Sequence, residues 1–377
     1  MAMTTSKLKV AEISDVHLGH DKTSAAHIVK NLLKAFPDNE DTAELDIIWI
    51  AGDLFDRRLA LPDDPVSSIK DWMHQFLRMC KKRDIVVRVL EGTPSHDWKQ
   101  PKIMVEINEN AKIGCDLKHI TKLEIEYIER FGIHVLYVPD EWRSENLQTW
   151  YEVKDLLKKH NLDKVDFSIM HGAFKYQIPT NIVDMFETHD TKNYLGITRY
   201  LTFIGHIHQY SQYQRILSAG SFDRLRHGEE EPKGHIRAQI NQDGTFKAQF
   251  IENKNAMVYK TIDCTGVPLE DVYRQLDTLV ADYPKHSFIR ILADTTDAVF
   301  KAGGELKDRY PTVSITFKSN QTKSKLKPII TKDIIKPVNL SPDTIMTLMK
   351  ESLDKNHGSI AQEAHSRLGE IMNEFLQ

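Results

Sequence analysis

A layered α/β fold, extended by a small second α/β unit and then by terminal helices, is what this sequence predicts, and three observations carry the prediction. Between residues 8 and 170, strand-length apolar runs alternate with stretches whose apolar residues recur at helical spacing. After Leu201 the pattern changes to short strands divided by turn signals, among them Ser218-Ala219-Gly220-Ser221 and Asn241-Gln242-Asp243-Gly244. Beyond Asn255 strand and helix patterns resume, then give way to a segment rich in lysine and proline.

Taken in order, the first strands fall at 8–13, 45–50, 85–90, 133–138 and 167–170, with helices at 67–82 and 145–160. On the 67–82 helix, Ile69, Trp72, Met73, Phe76 and Met79 share one face, which suits either a core or a subunit contact. The short strands after Leu201 predict a sheet that finishes with antiparallel pairing, and the first domain is expected to span 1–255. A second unit at 256–318 reads as strand 258–263, helix 269–282, strand 288–292, helix 297–309 and strand 313–318. A basic linker at 319–340 follows, holding Lys323, Lys325, Lys327, Lys332 and Lys336 against the single acid Asp333. In the last segment, 341–377, Ser341-Pro342-Asp343 starts a helix and Asn356-His357-Gly358 separates it from another.

Composition excludes several classes. With 41% hydrophobic and 28% charged residues the chain is neither disordered nor membranous in character, and no apolar run approaches the roughly 20 residues that span a bilayer. The start shows no leader pattern, so a cytoplasmic protein is expected. Cys80, Cys115 and Cys264 are too few and too scattered for a disulfide framework or a zinc ribbon. A net charge of −4 gives no global pull on nucleic acid, so any such partner must be held by local features.

Five segments place Asp and His just after predicted strands, where ligands of α/β sheets collect. They are Asp15-Val16-His17, Gly52-Asp53-Leu54-Phe55-Asp56-Arg57, Gly92-Thr93-Pro94-Ser95-His96-Asp97, His171-Gly172 and Gly205-His206-Ile207-His208. Residues two apart in extended chain point to one face, so Asp15 and His17 can hold one ion, and His206 and His208 again share one face. Asp53 offers a carboxylate able to bridge two cations. Singly, each segment reads as a turn or as surface polarity. In conjunction, and without cysteine, they supply the nitrogen and oxygen donors suited to paired divalent ions such as manganese.

The series resembles the calcineurin-like metallophosphoesterase family, whose motifs run Asp-x-His, Gly-Asp-x-x-Asp, Gly-Asn-His-Asp, His and Gly-His-x-His; the resemblance covers about residues 8–208. It implies a sandwich of β-sheets flanked by helices and two divalent metal ions. Asp15, His17, Asp53 and His208 would hold one ion and Asp53, His171 and His206 the other. His96 would protonate the leaving oxygen, with Asp97 orienting its ring. The third motif departs from the pattern: it is two residues longer and lacks asparagine, which puts Ser95 before the histidine as a possible, poorer ligand.

Within that family the chain is similar to the SbcD-type nucleases. The loop from Gly52 to Asp56 resembles theirs, and Ala219-Gly220-Ser221-Phe222-Asp223-Arg224, followed by Gly228-Glu229, resembles their Pro-Gly-Ser-x-x-Arg and Gly-Glu stretches. The resemblance implies a manganese-dependent DNA exonuclease and endonuclease, 256–318 as a capping domain that binds DNA, and 341–377 docking on an SbcC-type SMC-like ATPase. It also implies a homodimer, and the compact length and altered third motif suit a bacteriophage member. The rival readings are a stand-alone phosphatase or cyclic-nucleotide phosphodiesterase, and a non-catalytic scaffold that binds DNA ends.

Overall fold

A computed structural model describes residues 7–60, 65–140 and 146–319. The expected terminal helices, and the linker beyond Ser319, lie outside the described residues. The chain begins β1 (Lys7–Ile13), α1 (Ala25–Ala35), α2 (Glu40–Ala43), β2 (Ile47–Ala51), α3 (Pro65–Lys82), β3 (Val86–Leu90), α4 (Pro94–Asp97), α5 (Lys102–Asn110) and β4 (Leu117–Ile120). It continues β5 (Glu124–Ile128), β6 (Ile133–Val138), α6 (Asn146–Lys159), β7 (Val165–His171), α7 (Thr191–Ile197), β8 (Thr198–Gly205), β9 (Ser211–Tyr213), β10 (Ile216–Ser218), β11 (Gly234–Asn241) and β12 (Phe246–Glu252). It closes with β13 (Tyr259–Asp263), α8 (Leu269–Asp282), β14 (Phe288–Ala293), α9 (Ala298–Lys301), α10 (Gly303–Arg309) and β15 (Ser314–Ser319).

Two six-stranded sheets form, in the orders β12-β11-β1-β2-β3-β4 and β5-β6-β7-β8-β10-β9. β1 to β4 are mutually parallel, whereas β11 returns antiparallel beside β1 and β12 pairs antiparallel with β11, which is the antiparallel finish expected. β2 and β3 are buried along their whole length, as parallel strands covered on both faces must be. Leu8, Val10, Trp49 and Val86 of the first sheet pack on Val135, Phe167, Ile169 and Phe203 of the second, while α1, α3 and α5 cover the outer face of the first. The layered α/β sandwich of the sequence reading is therefore what the chain forms, and two mixed sheets flanked by helices are consistent with a metallophosphoesterase fold.

The apolar stripe of α3 settles one expectation. Ile69, Trp72, Met73, Phe76 and Met79 are all buried in the chain's own core, with Phe76 against Phe36 and Trp72, so this face is not available to a second copy. Phe76→Ala would leave a cavity costing about 3–5 kcal/mol. In the last unit, β13-β14-β15 form a parallel sheet around a separate core that includes Ile262, Leu276, Ile291 and Leu306. The helix expected over 297–309 is broken at Ala302, between α9 and α10; Gly303 opens α10, where a side chain would crowd the Phe317 ring at 3.1 Å.

Register brings the strand ends level. Ile13 pairs Ile50, Ala51 pairs Leu90, and His171 pairs Gly205. The loops that follow these strands therefore meet on one edge of the sandwich.

Candidate metal centre

Six of the expected residues meet on that edge in two groups. Asp15, His17 and His208 offer ligand atoms within 4.8 Å of one another, and so do Asp53, His171 and His206. Asp53 stands between the groups: its Oδ2 is 3.3 Å from His171 Nε2 and 3.9 Å from His17 Nε2. A third group, His17, Asp56 and His96, adjoins the first. A cavity of about 1090 Å³ beside the β11–β12 hairpin is lined by residues such as Lys9, Lys34 and Arg237 and by none of these donors.

The convergence does not arise from strand alternation, as the sequence reading supposed. Asp15, His17, Asp53 and His206 have φ of 50°, 54°, 49° and 100°, conformations that non-glycine residues rarely adopt. The surrounding hydrogen bonds hold them there: Asp15 N donates to Gly52 O, Val16 N and His17 N both donate to Asp53 O, and His206 N donates to the Asp15 carboxylate at 2.9 Å. Glycines make the room. A Cβ on Gly92 would lie 2.1 Å from Asp53 N, and one on Gly52, itself at φ 87°, would lie 2.2 Å from His171 Nδ1.

The ring nitrogens are oriented for ligation. His171 Nδ1 is 2.8 Å from Ala51 O, a carbonyl that can only accept, so Nδ1 carries a proton and Nε2 is the atom that faces Asp53. His17 Nδ1 lies 3.1 Å from Asp56 Oδ1 and His208 Nδ1 2.9 Å from Glu229 Oε1, which leaves the two Nε2 atoms facing each other at 3.2 Å. Lone pairs so placed repel unless a proton or a cation lies between them. Burial works to raise Asp53, yet His171 and His17 outweigh it and hold the carboxyl far below the usual range. Burial works to lower His171, and Asp53 raises it well above the usual imidazole value. A cation entering here would displace that proton, so its affinity would rise with pH.

The third motif corrects two expectations. Ser95 is exposed on α4, and the hydroxyl that reaches the second group belongs to Thr93: its Oγ1 lies 3.2 Å from Asp53 Oδ2 and 3.4 Å from both His171 Nε2 and His206 Nδ1, while its N–H donates to Asp53 Oδ1. The two extra residues, Pro94 and Ser95, follow this position and turn the chain into α4. Asp97 does not orient His96. Its carboxylate accepts from Phe55 N and Gly92 N and so ties the second and third loops together, while His96 Nδ1 lies 2.5 Å from the Asp56 carbonyl oxygen.

Glu229 acquires a role that the sequence reading did not give it. There Gly228-Glu229 served only as a mark of substrate class; here the buried carboxylate braces His208 and accepts from Leu225 N, beside the fully buried Lys233. Burial works to raise Glu229, but His208 and Lys233 prevail and bring it down to about 2. Nearby, Asp223 joins His27 and Asn31 of α1 to Met257 N, and Thr23 meets Tyr259 at 2.9 Å, fastening the site's flank to β13.

No family model matches the chain. It is 26% identical over 269 residues to the DNA double-strand break repair protein Mre11 of Archaeoglobus fulgidus, a match covering 66% of this chain and 57% of that protein. The chain thus spans little more than half the length of this curated relative. Among solved structures, GAP50, the anchor in the inner membrane complex of Plasmodium, is 12% identical at a TM-score of 0.40 over 67% of this chain and 86% of its own. No helix among the described residues is long and apolar enough to cross a membrane.

Proposed function

We propose that the chain is a metal-dependent DNA nuclease that hydrolyses phosphodiesters with two divalent ions, manganese being the reading carried forward from the donor set. The observation that carries it is the Asp53 carboxylate, placed between two buried triads of nitrogen and oxygen donors. Asp15, His17 and His208 would hold one ion, and His171 and His206 the other, with Asp53 shared and Thr93 beside the second. Bound there, the ions would neutralise charge on the phosphoryl oxygens and activate a water. The chain's own residues do the rest. Asp56 and Glu229 fix the His17 and His208 rings, and Asp97 fixes the loop bearing His96. With Nδ1–H of His96 donated to the Asp56 carbonyl, Nε2 is the atom left to carry a proton to the leaving oxygen.

DNA as substrate is supported by the likeness to a DNA double-strand break repair protein. The SbcD-type resemblance extends the proposal to an SbcC-type ATPase docking on residues 341–377, to DNA contacts from 256–318, and to a homodimer formed through a surface other than the α3 stripe. End-labelled duplex and single-stranded DNA, incubated with manganese with and without a cognate ATPase, test the reading. Cleavage that vanishes on chelation and returns with manganese supports it. Hydrolysis of small phosphoesters with DNA left intact would make the chain a phosphatase or cyclic-nucleotide phosphodiesterase instead, and DNA binding without cleavage would make it a scaffold.

A further inference from the structure

One large aromatic beside the centre has no task in that account. Trp98 follows the His96-Asp97 pair and is 54% exposed. Its indole is not loose, because Nε1 donates to Ser95 O at 2.7 Å, folding the ring back over the residue before His96. Trp98 and Lys99 are consecutive non-glycine residues at φ 49° and 58°, a strained turn that persists only where its surroundings enforce it. They do so on each side. Asp97 binds Phe55 N and Gly92 N, Lys99 N donates to Glu91 Oε1 at 2.6 Å, Glu91 pairs with His119 at 2.7 Å, and the Gln100 amide clasps Leu59 N and Arg57 O. The loop is built to hold an indole in water within one helical turn of His96.

We infer that Trp98 is a platform on which one nucleobase next to the cut phosphodiester stacks, so that the site takes single-stranded or frayed ends in preference to paired interior positions. The inference rests on the nuclease reading above and names its substrate class. A flat ring whose only polar atom is already bonded to backbone offers an apolar face and no hydrogen-bond readout, which suits the π-face of any base. The exposed Lys99 next to it supplies a cation for the strand's backbone. A base inside a duplex has its faces covered by its neighbours and cannot use the platform.

The test pairs Trp98→Ala and Trp98→Phe with a short single-stranded oligonucleotide and a set carrying one abasic position each. KM and kcat are measured with manganese, and equilibrium binding by fluorescence anisotropy. In the wild type, one abasic position should weaken binding and raise KM about 10-fold. Trp98→Ala should raise KM on the intact strand by a similar factor, leave kcat within about twofold, and lose all sensitivity to that position. Trp98→Phe should restore most of both. Equal weakening of intact and abasic strands by Trp98→Ala, no weakening at all, or a fall in kcat would each overturn the inference and leave the nuclease reading standing; a fall in kcat would make Trp98 a prop for His96. A wild-type protein that binds the strand with the abasic penalty but cuts nothing would overturn only the nuclease reading, and one that neither binds nor cuts would overturn both.

Discussion

The two triads differ in what stands behind their rings. In the first, carboxylates back two imidazoles: Asp56 lies 3.1 Å from His17 Nδ1 and Glu229 2.9 Å from His208 Nδ1. In the second the support is neutral, the carbonyl oxygen of Ala51 behind His171, and the Thr93 hydroxyl lies on the donor side, 3.4 Å from His206 Nδ1. A carboxylate behind an imidazole raises its basicity and adds negative charge near the cation, whereas a carbonyl fixes the tautomer and adds little charge. Under the two-ion proposal the first position would hold its ion more tightly and the second would exchange more easily, and the hydroxyl of Thr93, where the resembled motif has an amide, would widen that gap.

Removing the shared group should produce the largest effect. Asp53→Asn takes a charge from both positions at once, and turnover on DNA should fall by on the order of 10⁴-fold while circular dichroism stays unchanged. Activity within tenfold of wild type would mean that the triads do not act as a pair. His96→Ala should cost about 10²- to 10³-fold in kcat yet leave calorimetric uptake of both ions intact, because His96 adjoins the first triad without belonging to it. Loss of an ion in this variant would make His96 a ligand.

The comparison itself is tested by the supports. Glu229→Gln keeps an acceptor for His208 and removes the charge, and should weaken the tighter ion about 10-fold; Thr93→Ala should weaken only the looser one, and by less. If both variants weaken the same ion, the two positions are not independent. Thr93→Asn brings back the amide of the family pattern and should tighten the looser ion several-fold in a manganese titration. The smallest effect lies away from the triads. His235 is buried against Phe36, and burial first, then the Arg237 charge, lowers it to about 3. The unfolded chain, titrating near 6.5, binds this proton first, so the stability involved is complete above about pH 6.5 and is lost as the pH falls towards 3. His235→Gln should shrink the difference in unfolding free energy between pH 7 and pH 5 by about 2 kcal/mol. An unchanged difference would locate the acid limit at other buried histidines, and metal titrations at low pH would be interpreted accordingly.

Much of this was legible in the sequence, for unequal reasons. The buried parallel strands are short, apolar and bounded by turn residues, so β1, β2, β3, β6 and β7 all fall within two residues of their predicted ends. α1 escaped notice although Ala25, Ile28, Val29 and Leu32 keep helical spacing, because its buried face also carries Asn31, whose polarity is satisfied by His27 and, across the fold, by Asp223 and the Asn255 carbonyl. The six residues of the two triads were singled out from their order alone. Their geometry was not, since the convergence depends on left-handed conformations at Asp15, His17, Asp53 and His206 that aspartate and histidine do not announce. The displacement of Ser95 by Thr93 was equally hidden: the sequence shows that two residues are added, but only the turn into α4 decides on which side of the ligand position they fall.

Each triad draws donors from both halves of the sandwich. Asp15 and His17 leave β1 of one sheet and meet His208 beyond β8 of the other; Asp53 leaves β2 and meets His171 and His206 of the second sheet. A bound cation would thus act as a rivet across the seam between the sheets, and the centre would be a mechanical part of the molecule as well as a chemical one. An ion present at 100 times its dissociation constant would add about 2.7 kcal/mol to resistance against unfolding, an amount that chelation would withdraw. Thermal melting should then track free metal concentration, and the seam at this edge should be the first to open in hydrogen exchange once the rivets are drawn. A cell that starves such a protein of metal would lose folded molecules as well as turnover.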